Sequence, residues 1–212
     1  MPTADLTHAT ALGHFIDRAP SPYHAVAAAA DLLLDAGFFE CEELDNWSAE
    51  SGEKAFFRRG GSLVAWVRPA VSEPAGGFRI IGAHTDSPNL RIKPNPDAGA
   101  AGVSQLGVEI YGGALLNSWL DRDLGLSGRL AVVGDPPATR LVLVDRPVLR
   151  VAQLAIHLDR DVNNDGLKLN RQTHMAPIWA DGPSEAGGFA EWIADQAGVK
   201  RDEILGWDLM AH

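Results

Sequence analysis

Two apolar runs, "RLAVVG" at 129–134 and "RLVLVD" at 140–145, are joined only by "DPPAT", and no other feature of the sequence narrows the choice of fold so far. Proline has no N–H to give a ladder and its ring fixes φ, so neither strand runs on through the loop. Strands this close in sequence pair as an antiparallel hairpin, because a parallel return needs a long crossover. The same texture holds from Leu90 onward, with strand-like pieces such as "VSQLGVEIYGG" broken by turns and one short helical stretch, "AEWIADQAGV". Upstream, "KAFFRRGGSLVAWVRP" predicts another hairpin turning at Gly60-Gly61, and "FRIIGAH" (78–84) reads as a third strand. "EPAGG" between them leaves no room for a crossover helix, so these neighbours are expected to be antiparallel.

The N-terminus is helical in pattern. Leu6, Leu12, Phe15 and Ile16 recur among polar residues at a rough helical period that stops at "RAPSPYH". Ser21 can cap and Pro22 can occupy N1 of a second helix, "YHAVAAAADLLLDAG", which Gly37 can close in a left-handed conformation. Two helices and then strands predict an α/β fold, with a boundary near residue 90: residues 1–90 belong to one α/β domain and residues 91–212 form a β-rich domain.

The net charge of −10 argues against a nucleic-acid partner and against an anionic membrane surface, both of which need clustered Lys and Arg. No run approaches the roughly 18 apolar residues of a membrane span. The one cysteine, Cys41, has no partner for an internal disulfide, and "MPTADLTHATALGHF" lacks a basic stretch followed by an apolar one, so a cytoplasmic location is expected. At the other end, Leu205, Trp207 and Leu209 alternate like one face of a half-buried strand three residues before the last one. Either a docked final strand or a fragment of a longer chain fits that pattern.

The chemistry concentrates in "FRIIGAHTDSPNLRIKP". In an extended segment residues i and i+2 point the same way, so His84 and Asp86 share a face and Thr85 points away. A metal-binding imidazole hands its second N–H to a carboxylate or a carbonyl, and His-x-Asp at a strand end supplies that pair. The tripeptide is common, however, and a histidine at a strand end is ordinarily a surface or hydrogen-bonded residue. One histidine also cannot hold zinc, which needs about three or four protein ligands.

"GAHTDSPNLRIKP" resembles the metal-binding turn of the M18 peptidases, the aspartyl aminopeptidase family, and the likeness extends beyond it. "APSPYHAV", "GVEIYGGALLNSWLDRDLGLSGRL", "DRPVLRVAQLAIHLDRDVN" and "DEILGWDL" resemble family segments in family order, so the resemblance spans most of the chain. It implies a cocatalytic aminopeptidase with two zinc ions per active site, acting on peptides and releasing N-terminal, acidic residues (Asp or Glu). The fold it implies is the N-terminal half of a zinc-peptidase α/β domain followed by a β-rich dimerisation and assembly domain, in homo-oligomers built from dimers and reaching a dodecamer. His84 is then a zinc ligand and Asp86 its partner. His157 would reach the neighbouring subunit's active site and help to stabilise the transition state.

The family's other ligands and its general base match nothing in these 212 residues. That departure favours a fragment, inactive alone, of an enzyme active at full length. The alternative is a non-catalytic assembly or regulatory module derived from such an enzyme. A third reading completes a mononuclear site with His157 or His174.

The remaining motifs have plainer readings. Taken by spacing alone, Leu154, Ile156 and Leu158 form one face of a strand and leave His157 on the other, as a solvent-facing or core-edge residue. His174, in "RQTHMAP", is expected to make a structural hydrogen bond, and His24 to pack or cap, with its role open. Asp121, Arg122 and Asp123 suit a salt-bridged hairpin better than an acid–base pair. Trp47, Trp66, Trp119, Trp179, Trp192 and Trp207, which share no spacing, are expected to be core or interface anchors.

Overall fold

The computed structural model describes residues 6–44, 53–68 and 77–212. Trp47 and nearly all of "EPAGG" lie outside the described residues. The chain divides into two compact units, Met1–Ser87 and Pro88–His212. The division precedes residue 90 because ladder pairing starts at Asn89, opposite Tyr111.

In the first unit, helix α1 (Thr7–Asp17) is followed by α2 (Pro22–Asp35). Leu6, Leu12 and Ile16 are all more than half exposed, whereas Phe15 of the same apolar stripe is half-buried. Ser21 caps α2, its Oγ accepting from the His24 N–H at 3.3 Å, and Pro22 takes N1, where its missing N–H costs nothing. His24 Nδ1 lies 2.7 Å from the same Oγ, so this histidine belongs to the cap. Gly37 closes the helix at φ +78°, and the Phe38 N–H donates to the Leu33 carbonyl at 2.9 Å.

A three-stranded sheet follows in the order β1 (Phe39–Glu40), β2 (Lys54–Arg59), β3 (Ser62–Val67). Strand β1 runs parallel to β2, and β2 forms with β3 the antiparallel hairpin expected around Gly60-Gly61, closed by the Arg59–Ser62 pair. Phe56 and Ala55 are fully buried and anchor it.

The third expected strand does not form. Residues 77–88 have no ladder partner, and Phe78, Ile80 and Ile81 are 88–98% exposed. A strand exists only by pairing, and no described edge receives this segment. Its apolar composition predicts burial in a sheet, but composition names no neighbour, and the segment stands exposed instead.

The second unit is one six-stranded sheet with helices. Its elements in chain order are β4 (Asn89–Ala100), β5 (Val103–Tyr111), β6 (Leu124–Val132), β7 (Ala138–Leu149), the single-turn helix α3 (Val162–Asp165), β8 (Ile178–Asp181), α4 (Gly188–Ala197) and β9 (Ile204–Ala211). The sheet order is β7-β6-β9-β4-β5-β8, antiparallel throughout, so the last strand lies at the centre. Arg150 and Ile178 exchange main-chain hydrogen bonds of 3.0 and 2.8 Å, which joins the two outer edges and partly closes the sheet on itself. Closure removes unpaired edge at that point.

Inward-facing Leu90, Leu106, Leu126, Leu130 and Leu209 are wholly buried and meet Phe189 and Ile193 of α4 in one core. Each such side chain contributes about 1.5–3 kcal/mol by leaving water. Around Phe189 the rings of Trp179, Trp192 and Trp207 sit 5.7–5.8 Å away, two of them edge-on. The Trp207 indole N–H donates to the Lys93 carbonyl at 3.1 Å, and Trp119 packs against the same core, so these tryptophans are the core anchors expected. Trp66 meets Phe57 in the first unit at 6.5 Å.

Of the sheet's four register shifts, two bear on the sequence reading. Between Ile92 and Asp97 the run Lys93-Pro94-Asn95-Pro96 stands opposite Gly107 alone, which suits prolines that have no N–H to pair. In β9, Ala131 pairs with Gly206 and Val132 with Ile204, so Leu205 is the extra residue. The expected alternation of Leu205, Trp207 and Leu209 is thereby corrected: the bulge turns Leu205 outward, 59% exposed, and puts Ile204 in the core. No helix among the described residues is long and apolar enough to cross a membrane.

Candidate metal centre

His84 and Asp86 are brought together as their i, i+2 spacing requires, although on a loop rather than a strand end. The closest contact is main-chain: His84 Nδ1 is 2.6 Å from the Asp86 carbonyl oxygen, while the Asp86 carboxylate lies 3.5 Å away. A carbonyl only accepts, so Nδ1 carries the proton and the Nε2 lone pair is left for a cation. The imidazole is 81% exposed, and both of its contacts with Asp86 are made by Nδ1. This is the tautomer a zinc-ligating histidine needs, held by the carbonyl in the place where the carboxylate was expected.

Thr85 points away from the His84–Asp86 face, as expected. Its hydroxyl donates to the Gly61 carbonyl at 2.6 Å, a link across 24 residues that nothing in the local sequence signals.

The site is otherwise sparse. Among the described residues no three His, Cys, Asp or Glu side chains gather closely enough to hold a metal ion. The residues present therefore suit one ligand position of a zinc site and no more, and a mononuclear centre completed by His157 or His174 has no support. His174 is engaged elsewhere: its Nδ1 accepts from the Asn170 N–H at 3.1 Å, the structural bond expected of it.

His157 does not lie on a strand. Leu158 and Asp159 both donate main-chain bonds to the Ala155 carbonyl, at 2.8 and 3.3 Å, forming a turn in which Leu154, His157 and Leu158 are exposed. The ladder stops at Val151, which bridges to Leu120, and beyond it an alternating pattern has no neighbour to pair with. The loop from Ala152 to Ala176 instead roofs a cavity of about 250 Å³ that includes Leu120, Leu154, Leu167 and His174.

Asp121 and Asp123 form the salt-bridged turn foreseen for them, with a different cation. Arg150, from beyond β7, approaches Asp123 at 3.3 Å and Asp121 at 3.9 Å, and also donates to the Asp121 carbonyl at 3.1 Å. Both carboxylates are exposed and fixed to a guanidinium, which is a structural role.

The family model for the "Aminopeptidase I zinc metalloprotease (M18)" matches residues 15–212. The chain belongs to the M18 peptidase family. M18 relatives are near in sequence: it is 54% identical over 209 residues to the probable M18 family aminopeptidase 2 of Streptomyces coelicolor, covering 98% of this chain and 48% of that protein. To the protein of the same description from Mycobacterium tuberculosis it is 47% identical over 207 residues, covering 96% and 47%. The chain thus spans about half the length of the curated M18 proteins it matches.

Among solved structures, a chain of the cryo-EM structure of the Ape4 and Nbr1 complex superposes with a TM-score of 0.85 at 30% identity, over 93% of this chain and 42% of that one. The Saccharomyces cerevisiae mApe1 dodecamer gives 0.76 at 27%, over 97% and 48%. The M18 aminopeptidase of Thermotoga maritima, at 19% identity and a TM-score of 0.75, shows the shared fold, over 96% of this chain and 46% of that one. The α/β architecture read from the sequence is therefore the M18 fold over the residues present.

Proposed function

We propose that the full-length protein is a zinc-dependent aminopeptidase that releases N-terminal acidic residues, Asp or Glu, from peptides. The observation that carries the reading is the 2.6 Å contact of His84 Nδ1 with the Asp86 carbonyl, which leaves the Nε2 lone pair for a cation in the turn that resembles the family's metal-binding turn. Zinc, when bound, supplies Lewis-acid polarisation of a carbonyl and acidifies a water molecule. His84 would hold one of two zinc ions. Asp86 fixes the imidazole through its main chain and lends negative charge from its carboxylate at 3.5 Å. His157, on an exposed turn, would act in a neighbouring subunit's active site, which makes catalysis depend on a homo-oligomer of dimers assembled through residues 91–212. The dodecamer formed by the similar Saccharomyces cerevisiae mApe1 supports that assembly. With one ligand position among its described residues, this chain alone would be inactive, and a cytoplasmic location with no nucleic-acid or membrane partner completes the reading.

The test is hydrolysis of Asp-, Glu- and Leu-aminoacyl substrates by the full-length protein, before and after a chelator. The expected result is release of Asp and Glu ahead of Leu, abolished by the chelator and restored by zinc, with no turnover by residues 1–212. Full activity in the chelated protein, or a preference for Leu, would contradict respectively the metal assignment and the substrate class.

A further inference from the structure

The turn that carries His84 belongs to no strand. Residues 77–88 join no ladder, and the imidazole stands in solvent. Two hydrogen bonds place His84 and Thr85. One is internal, from Nδ1 to the carbonyl two residues on. The other leaves the turn: the Thr85 hydroxyl donates to the Gly61 carbonyl at 2.6 Å.

The acceptor of that second bond is fixed from both sides. Gly61 sits at the turn of the β2–β3 hairpin, directly after the left-handed Gly60 and before the Ser62–Arg59 pair. A Cβ on Gly61 would lie 3.1 Å from Pro22 Cβ and 3.5 Å from the Tyr23 ring, so the turn is seated against the first turn of α2. That helix start is in turn set by the Ser21 cap. The Gly61 carbonyl is thus presented by a hairpin and a capped helix, whereas the histidine rides on a segment without secondary structure.

We propose that Thr85 is a positioning residue for the metal centre: its bond to Gly61 ties the His84–Asp86 turn to the hairpin and so places Nε2 where a cation is shared with the rest of the ligand set. The inference rests on the reading of His84 as a zinc ligand. A side chain that acts through the ligand has a different signature from one that only stabilises the fold. Partners outside the ligand set change metal affinity by about 10–100-fold when removed. An exposed threonine with a purely structural role leaves affinity and ligand field alone.

The experiment uses the full-length protein and three variants, Thr85→Val, Thr85→Ser and His84→Ala, stripped of metal and titrated with zinc against a chromogenic chelator. Cobalt absorption spectra and melting curves are recorded in parallel. Thr85→Val, which keeps the shape and loses the O–H, is expected to weaken one zinc about tenfold and to shift the cobalt bands with kcat falling more than KM rises, at an unchanged melting temperature. Thr85→Ser, which keeps the donor, is expected to restore all of these. Wild-type affinity and spectra in Thr85→Val, or a Thr85→Ser as impaired as Thr85→Val, would overturn the proposal while His84→Ala still loses one zinc. Full zinc binding in His84→Ala would overturn the ligand assignment itself, and the role of Thr85 with it.

Discussion

The position of one proton decides what His84 offers. Because a carbonyl cannot donate, the 2.6 Å contact to the Asp86 main chain puts the proton on Nδ1 whatever the Asp86 side chain does. Asp86→Asn should therefore leave zinc stoichiometry unchanged while lowering turnover, since it removes a charge at 3.5 Å and keeps the orienting bond; zinc loss in that variant would show that the carboxylate is the true orienting group. His212 carries the pH dependence that is legible in the second unit. Its ionisation is pushed below the ordinary 6.5 by burial, against an opposing pull from Asp145. The folded state then favours the neutral ring, so its contribution is whole above pH 6.5 and is lost as the unfolded chain takes up protons below it. The melting temperature of residues 1–212 should fall from pH 7.5 to 5.5 more steeply than that of His212→Gln. Parallel curves would remove this role. Of the site residues, the nearness of His84 to Asp86 was legible from their i, i+2 spacing; the loop conformation and the choice of carbonyl over carboxylate were not, because they depend on a backbone path that side-chain spacing cannot describe.

At the scale of elements, helix α4 shows what a sequence conceals. Its start, Gly187, has no side chain to cap with, yet the Gly187 and Phe189 N–H groups donate to the two Asp97 carboxylate oxygens at 2.8 and 3.0 Å. The Pro94–Pro96 bulge in β4 delivers that carboxylate from about ninety residues away. Asp97→Ala should cost about 1–2 kcal/mol, as the loss of a capping carboxylate does, read as a lower urea midpoint at unchanged slope. An unchanged midpoint would mean that water replaces the cap. Hairpins and helix ends were legible because proline, glycine and serine act over two or three residues: the Gly60-Gly61 turn, the "DPPAT" loop and the Ser21 cap all stand where expected. "FRIIGAH" and the "RVAQLAIHL" alternation failed because pairing is a property of two segments. In each, the apolar pattern is present and no neighbouring edge pairs with it among the described residues.

At the scale of the whole molecule, the family is visible in this chain, whereas no group of side chains able to hold a metal gathers among the described residues. The M18 match runs from residue 15 to 212, and the chain covers 48% of the Streptomyces coelicolor relative. Assembly is the second property that one chain cannot display. If His157 serves a neighbour's active site, His157→Ala in the full-length protein should lower turnover at least tenfold without changing zinc content or subunit number, a size of effect common for a group acting on the transition state. Unchanged turnover would return it to an ordinary exposed turn residue. The most direct measurement of the account is the zinc content of the full-length protein, by elemental analysis, beside that of His84→Ala. The account predicts two zinc ions per subunit in the first and one in the second, with peptidase activity lost. Equal zinc in both, or none in either, would contradict it.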